Sequence, residues 1–383
     1  MLYAIIGDIL IKTLMSDDMV PLNKILQVRI IGSKYKMLGK ILKIIQKEGI
    51  TGKTFFDVFC GSTSVGRFFK RKFLITSNDI LYFSFVLQKA LIDLNSYPKF
   101  EGLTFMTNES KESKDKERVS KVLEYLNNIE GSKGFIYQHY TPASKMVDGI
   151  ERKYFSELNG EKIDAVRIKI GEWFTNKNIT EDEYFYLVAS LLLAVQKIAN
   201  ISGTYGAYNK IWDPRTKKTL KLQIIEVINS KFDHKAFNED SLKLLNKISC
   251  DIAYVDPPYN SRQYISNYHI LETIAKYDNP TINGKSGMRD YNREKSTFCS
   301  SKTAKRDLLK LLSELRAKYI ILSYNSEGLL SKDEIKEICE KSKLGNIKIY
   351  EFPYRRFKSN GNTNHNEVME YIFTGKKMDL IKV

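Results

Sequence analysis

Short apolar runs that stop at an acid recur along this chain, each followed by small residues and then by a helical repeat. "KTFFDVFCGSTSVGRFFKRKF" is apolar up to Asp57, turns through Gly, Ser and Thr, and resumes as a helix from about Thr63. "FLITSNDILYFSFVLQKALIDL" repeats the unit, with a strand ending near Asp79. A compact apolar run bounded by turn residues reads as a buried strand, and apolar spacings of three and four read as a helix. Strand, small-residue turn and helix in succession predict βαβ units and a parallel sheet. Ahead of them, "VRIIGSKYKMLGKILKIIQKEG" predicts a strand-like start, a break at Gly32 and an amphipathic helix stopped at Gly49.

The pattern then changes. Residues 108–128 are charged, mixed in sign and poor in strand formers, which predicts a solvated helix or loop without chemistry. Residues 135–222 predict a largely helical region. After Phe237 the alternation returns through "DIAYVDPP", "YHILETIAKYD", "AKYIILSYNSEG", "DEIKEICEK", "NIKIYEFPYRRFK" and "EVMEYIFTGKK". The chain therefore predicts one α/β domain, residues 1–107 and 236–383, interrupted by a mostly helical insert at 108–235.

Composition narrows the class. With 383 residues, 43% hydrophobic and 12% aromatic, the chain can bury a large core and is not a disordered polypeptide. Cys60, Cys250, Cys299 and Cys339 stand far apart without metal-ligand spacing, as expected of free thiols in a reducing cytoplasm. The four histidines, His139, His234, His269 and His365, show no ligand spacing either, so no metal is expected. The opening segment is interrupted by Asp8 and Lys12 and reads as a helix or strand rather than a signal peptide. No run reaches the length of a membrane span. The 61 Lys+Arg against 45 Asp+Glu give a formal charge of +16. Such an excess favours a polyanionic partner, through counterion release from phosphates, although lysine-rich composition alone produces the same number.

Candidate chemistry gathers at two strand ends. In "DVFCGSTSVG" Gly61 lets the backbone approach a ligand. Asp79, 22 residues past Asp57, stands where a dinucleotide-type site holds ribose hydroxyls, though an acid there also suits a turn or helix cap. The second strand end is "DIAYVDPPYNSRQY". Two prolines cannot join a sheet ladder and stiffen the residues before them. They make a ledge carrying the Asp256 carboxylate, proline carbonyls and the Tyr259 ring. A carboxylate beside a rigid carbonyl is a site of acceptors only, suited to an NH2 group with two protons to give. Tyr259 offers a face on which an unstacked base can lie. Ribose and amine sites in one sheet suggest group transfer to an exocyclic amine.

These residues resemble the S-adenosylmethionine-dependent amino-methyltransferases of DNA. The Asp form of the "DPPY" tetrad at 256–259 is similar to that of the N6-adenine enzymes. The longer match resembles the Dam-related adenine methylases, and within them the FokI-type restriction–modification methyltransferases. It is carried by "IGSKYKML" (31–38), "FCGSTSVG" (59–66), "SNDI" (77–80), "TYGAYNKIWD" (204–213), "DPPYNSRQY" (256–264), "NYHILETIA" (267–275) and "LSYNSEG" (322–328). The resemblance implies a Rossmann-like methyltransferase sheet with S-adenosyl-L-methionine as cofactor, and it makes the insert the target-recognition region. It implies that Lys34 helps hold the methionine end of the cofactor, that Phe59 and Gly61 line its pocket, that Asp79 takes the ribose hydroxyls and that Asp240 contacts the adenosine base. Asp256 and the Pro257 carbonyl would accept from the target N6 amine, with Tyr259 stacked on a flipped adenine. One departure stands out. The family turn commonly reads F-x-G-x-G, and Thr63 replaces the second Gly; a β-branched residue avoids positive φ, so the turn is expected to take another geometry.

Double-stranded DNA is the partner this implies, with basic and aromatic contacts from Tyr205, Tyr208, Lys210, Arg215 and Lys217 in the insert, and from Arg355 and Arg356 near the end. By analogy the resemblance admits a cognate restriction endonuclease in the same system, and a monomer is the simplest assembly. An RNA or free-nucleobase methyltransferase uses the same chemistry. Against a binding protein that has lost catalysis stand Asp79, Asp256 and Tyr259, all present with the expected residue types; a nicotinamide oxidoreductase would explain the Gly turn but gives the tetrad no purpose.

Overall fold

A computed structural model of the chain describes residues 19–103, 115–354 and 368–378. The first helix, α1 (Leu38–Lys47), turns a continuous apolar stripe inward through Leu38, Ile41, Leu42, Ile44 and Ile45. Then come β1 (Thr54–Asp57), the short helix α2 (Ser64–Phe69), β2 (Leu74–Asn78) and α3 (Tyr82–Gln88), which runs on into a wider turn over Lys89–Asp93. A helical region follows: α4 (Asp115–Asn128), α5 (Phe135–Tyr140), α6 (Lys145–Asp148), α7 (Glu157–Thr175) and α8 (Glu181–Val195). The chain returns through β3 (Lys235–Phe237), β4 (Ser249–Val255), α9 (Tyr264–Lys276), a small hairpin of β5 (Ile282–Asn283) and β6 (Met288–Arg289), α10 (Ala304–Glu314), β7 (Arg316–Asn325), α11 (Lys332–Lys341), β8 (Leu344–Tyr354) and β9 (Val368–Lys377).

Among the described residues one seven-stranded sheet runs in the order β3-β2-β1-β4-β7-β9-β8. The pairs from β3 to β7 are parallel, and β9 runs antiparallel to both its neighbours. Strand order reverses between β1 and β4, and a crevice beyond the carboxyl ends of such strands is where open α/β sheets take ligands. The register brings those ends level: Asp57 lies beside Ser77 on one side and Tyr254 on the other.

Successive strand residues enter opposite cores, as the pleat requires. Phe55, Ile75, Ile252, Tyr254 and Ile321 pack with α1 and α2, while Phe56, Ala253, Val255, Ile320 and Leu322 pack with α10 and α11. A third core joins α3 and α9 to α4, α5, α7 and α8, so the helical region shares its apolar interior with elements on either side of it in sequence. α8 opens on a capping box from Thr180 to Glu183, and α11 on one from Ser331 to Glu334.

Three expectations are revised. Val28–Ile31 forms no strand. Its amides go instead to side chains of the helical layer, Arg29 N to Gln196 at 3.0 Å and Ile31 N to Tyr268 Oη at 2.6 Å, which removes them from any ladder. Residues 115–128 form a helix that buries Val119, Val122, Leu123 and Leu126. Helix ends at Val195, and the chain up to β3 is irregular apart from one 3-10 turn over Pro214–Lys217.

Candidate active site

The turn after β1 is built from backbone bonds that cross between strands. Val58 N donates to Tyr254 O and Cys60 N to Asn78 O, so β1 is tied to both neighbours where it leaves the sheet. Gly61 sits at φ +48°, and a Cβ there would meet nothing nearer than Phe59 O at 4.0 Å; it would stand in the open cleft. Thr63 keeps the left-handed geometry at φ 64° despite its branch, contrary to the expectation of a different turn. That conformation costs roughly 1–2 kcal/mol for an ordinary residue. The Thr63 hydroxyl offsets part of it by donating to Ser62 O at 2.6 Å, and Thr63 O accepts from Arg67 N at the start of α2.

Asp79, just beyond β2, faces this turn. Its Oδ2 accepts from Gly61 N at 2.8 Å and its Oδ1 from Leu81 N at 2.9 Å. Burial raises its carboxyl to about 6 against those hydrogen bonds. Asp57, at the end of β1, is 1% exposed and accepts from Gly66 N at 3.2 Å. Burial pushes it up to about 7, with the Cys60 thiol opposing and Asp256 adding to the rise.

Asp256 follows β4. Its Oδ1 lies 2.9 Å from Lys34 Nζ, which also lies 3.0 Å from Glu370 Oε1 and 3.2 Å from Gly32 O. Burial raises Asp256 to about 6; Lys34 opposes the rise and Glu370 adds to it. Gly32, at φ +81°, leaves room for two aromatic hydroxyls, because a Cβ there would come within 3.2 Å of Tyr259 Oη and 3.4 Å of Tyr264 Oη. Tyr259 is half-buried, packs edge-on against Tyr324 at 5.9 Å and is fixed by Leu329 N donating to its carbonyl.

One cleft of about 1090 Å³, open to solvent, joins these groups. Lys34, Phe59, Gly61, Asp79, Asp240, Asp256 and Tyr259 all line it, as does Asp57, which sequence reasoning had treated only as a strand end. Asp240 caps a short turn by accepting from Leu242 N at 3.0 Å. Pro257 is buried and does not line the cleft, where Pro258 stands instead. The walls combine acceptors at Asp57, Asp79 and Asp240 with apolar surface at Ile30, Ile80 and Phe298. Those acceptors and apolar faces fit a ligand with hydroxyls, a cationic end and a flat ring, and the bare Gly61 leaves it space. Among the described residues no group of three or more His, Cys, Asp or Glu could hold a metal ion, and no helix is long and apolar enough to cross a membrane. The four cysteines are unpaired thiols.

The family model of D12-class N6-adenine-specific DNA methyltransferases matches residues 31–338. The chain belongs to this family. It is 41% identical over 351 residues to the type II methyltransferase M.FokI of Planomicrobium okeanokoites, covering 90% of this chain and 52% of that protein. It is 36% identical over 352 residues to modification methylase StsI of Streptococcus sanguinis, covering 90% of this chain and 51% of that one. With the type II methyltransferase M.NlaIII of Neisseria lactamica it shares 37% over 350 residues, 89% of this chain and 97% of the relative. The chain thus spans about half the length of the first two and nearly all of the third. The family's cofactor is S-adenosylmethionine, and the residues of the cleft fit it.

The segment 204–213 rests on the entry to α9: Tyr205 N donates to Asn267 O at 2.8 Å, and His269 Nε2 lies 3.0 Å from Tyr205 O. A Cβ at Gly206 would fall 2.2 Å from the Arg262 guanidinium, so any larger residue there would push this flexible side chain aside. Arg262 is exposed and was missed by sequence reasoning. Tyr205 does not belong among the DNA-facing residues: it is 1% exposed and packs in the helical core. Tyr208 is half-buried and donates to Glu151 O at 2.9 Å. Arg215 is half-buried, paired with Asp213 at 2.9 Å and donating to Ile201 O. Lys210 and Lys217 are exposed. Arg355 and Arg356 lie outside the described residues. His269 is fully buried, and burial lowers it to about 4, which keeps it neutral at physiological pH.

Proposed function

We propose that this chain is a site-specific DNA adenine methyltransferase that moves a methyl group from S-adenosylmethionine to N6 of an adenine flipped out of duplex DNA, within a restriction–modification system of the FokI type. The observation that carries the reading is the Asp256 carboxylate, fixed on a proline ledge and sharing one cleft with Gly61 and Asp79. In this reading residues 1–107 and 236–383 form the catalytic part and 108–235 recognise the target. A cognate endonuclease is the implied partner, and the protein acts as a monomer.

Asp79 would hold the cofactor's ribose hydroxyls, Asp240 its base, and Phe59 and Gly61 its flanks; Lys34 would meet the methionine carboxylate. When bound, S-adenosylmethionine supplies a methyl group made electrophilic by the sulfonium. The protein's part is to make N6 of adenine a nucleophile. That nitrogen's lone pair is delocalised into the ring, and acceptance of its protons by Asp256, with the Pro257 carbonyl as second acceptor once it is turned to the cleft, favours a pyramidal nitrogen with a free lone pair. Positive charge that develops on the nitrogen is stabilised by the Asp256 carboxylate, so the residues act by positioning and electrostatics. The raised Asp256 carboxyl also suits it to take the proton that the methylated nitrogen loses. Tyr259 would carry the flipped ring, and flipping costs a few kcal/mol that phosphate contacts offset.

The test is transfer of labelled methyl from S-adenosylmethionine to unmethylated genomic DNA, with modified bases identified and mapped. Label in N6-methyladenine at one short motif, absent with Asp256→Ala, supports the reading. Label in RNA alone, or none despite cofactor binding, would overturn it.

A further inference from the structure

Glu370 is a carboxylate in an unusual place. It lies on β9, the reversed strand, between Asn325 of β7 and Phe352 of β8 in register, and is 4% exposed. It does not line the cleft. Burying a charge is costly unless it is paired and hydrogen-bonded, and Glu370 is both. Ser323 Oγ donates to its Oε1 at 2.8 Å, Asn325 Nδ2 reaches its Oε2 at 3.4 Å, and Lys34 Nζ lies 3.0 Å from Oε1. Two side chains from β7 therefore fix Glu370 beside Lys34.

Lys34 stands at a fork. Its ammonium, 5% exposed, has Asp256 at 2.9 Å on one branch and Glu370 at 3.0 Å on the other. A target amine that donates to Asp256 competes with this ammonium for the same carboxylate. Removing one partner of a buried ion pair strands a charge, unless the released ammonium has a second counterion already in place. We propose that Glu370 is a positioning residue that retains the Lys34 ammonium when the target amine displaces it from Asp256. This rests on the reading of Asp256 as the amine acceptor. Glu370 acts on the site from behind Lys34 and never touches the amine.

Glu370 also sets the charge that Asp256 feels. Asp256 is faced by Lys34, Glu370, Tyr254, Tyr259 and Tyr264, with Asp57 acting from the end of β1; Lys40 of α1 faces Glu370. The tyrosines are raised and stay neutral in the acid range, while Asp57 and Lys40 are the same in every variant below. Replacing Glu370 by a neutral isostere removes a like charge and leaves Asp256 as the protein carboxylate paired with Lys34. Asp256 is then ionised to lower pH, yet held more tightly by Lys34.

The experiment measures kcat for methyl transfer to unmethylated genomic DNA against pH, for wild type, Glu370→Gln and Glu370→Asp. For Glu370→Gln we expect kcat at pH 8 lower by tenfold or more, with the acid limb of its profile moved to lower pH than that of wild type. Glu370→Asp, which keeps the charge, should return the limb towards wild type. A Glu370→Gln enzyme with unchanged kcat, or with the limb unmoved, would overturn the proposal, as would failure of Glu370→Asp to restore the limb. If Glu370→Gln does not fold, Ser323→Ala carries the test, because it frees Glu370 while keeping every charge. A severalfold lower kcat with the limb in place then supports the proposal, and an unchanged kcat overturns it. Wild type that methylates no adenine would instead remove the reading of the site itself.

Discussion

Asp79 ties two turns of the cleft together, with the Gly61 amide 2.8 Å from one carboxylate oxygen and the Leu81 amide 2.9 Å from the other. The geometry joins two roles that sequence reasoning set against each other, since an acid that braces the glycine turn also presents its remaining lone pairs to the cleft. Asp79→Ala strands two amides, at about 1–3 kcal/mol each when buried, and removes the proposed ribose acceptor. Cofactor affinity, measured by calorimetry, should fall at least tenfold, and chemical denaturation should show lowered stability. Lowered stability with unchanged affinity would leave Asp79 only its bracing role.

The acids of the cleft make the protein's stability fall as pH rises. Asp57, ordinarily 3.8, is raised by burial to about 7, so between these values the folded state binds a proton that the unfolded state has released. The stabilisation is complete below about pH 4 and is lost as pH rises through 7. At about 1.4 kcal/mol for each tenfold change in proton affinity, ionising Asp57 costs roughly 4 kcal/mol at pH 8. Asp57→Asn should therefore be more stable than wild type at pH 8, with the advantage shrinking towards pH 5. Urea melts at the two pH values check this; an advantage of equal size at both would refute it.

Thr63 offers a test of strain. Its φ of 64° suits glycine, but its side chain is 1% exposed and its hydroxyl is hydrogen-bonded. Thr63→Gly relieves roughly 1–2 kcal/mol of backbone strain and loses a hydrogen bond worth about 1 kcal/mol, so its stability should lie within about 1 kcal/mol of wild type. Thr63→Val keeps the branch and loses the hydrogen bond, and should be destabilised by about 1 kcal/mol. Denaturant midpoints for the two variants decide it, and the reverse order would mean that the turn carries no strain.

What the sequence disclosed follows from what is local. β1 and β4 end where a short apolar run meets a turn, and the Gly61 turn and the ledge at Asp256 are both written in neighbouring residues. Val28–Ile31 has the same apolar look, but the partners that take its amides, Gln196 and Tyr268, are distant in sequence. Tyr205 lies among Gly, Asn and Lys and reads as exposed loop; only the packing of 204–206 on α9 buries it. Glu370 was overlooked because its meaning depends on Lys34, 336 residues earlier. A signal was nonetheless present: an acid inside the apolar strand "VMEYIF" needs a buried partner.

Lys210 and Lys217 are exposed, whereas Tyr205, on the same stretch of chain, is sealed in the helical core. If this face carries DNA, each lysine contributes mainly by releasing counterions. Lys210→Ala and Lys217→Ala should each weaken binding almost equally for cognate and unrelated duplexes, and each should flatten the dependence of log affinity on log salt by about 1. Tyr205→Phe should leave DNA affinity unchanged, because its ring is not at the surface, whereas Tyr205→Ala should cost about 3–5 kcal/mol of stability by opening a core cavity. Fluorescence anisotropy with cognate and scrambled duplexes over a salt series separates these outcomes. A Tyr205→Phe variant with lowered affinity but normal stability would mean that the segment rearranges on DNA, while salt slopes that both lysine variants leave unmoved would place the DNA on another face.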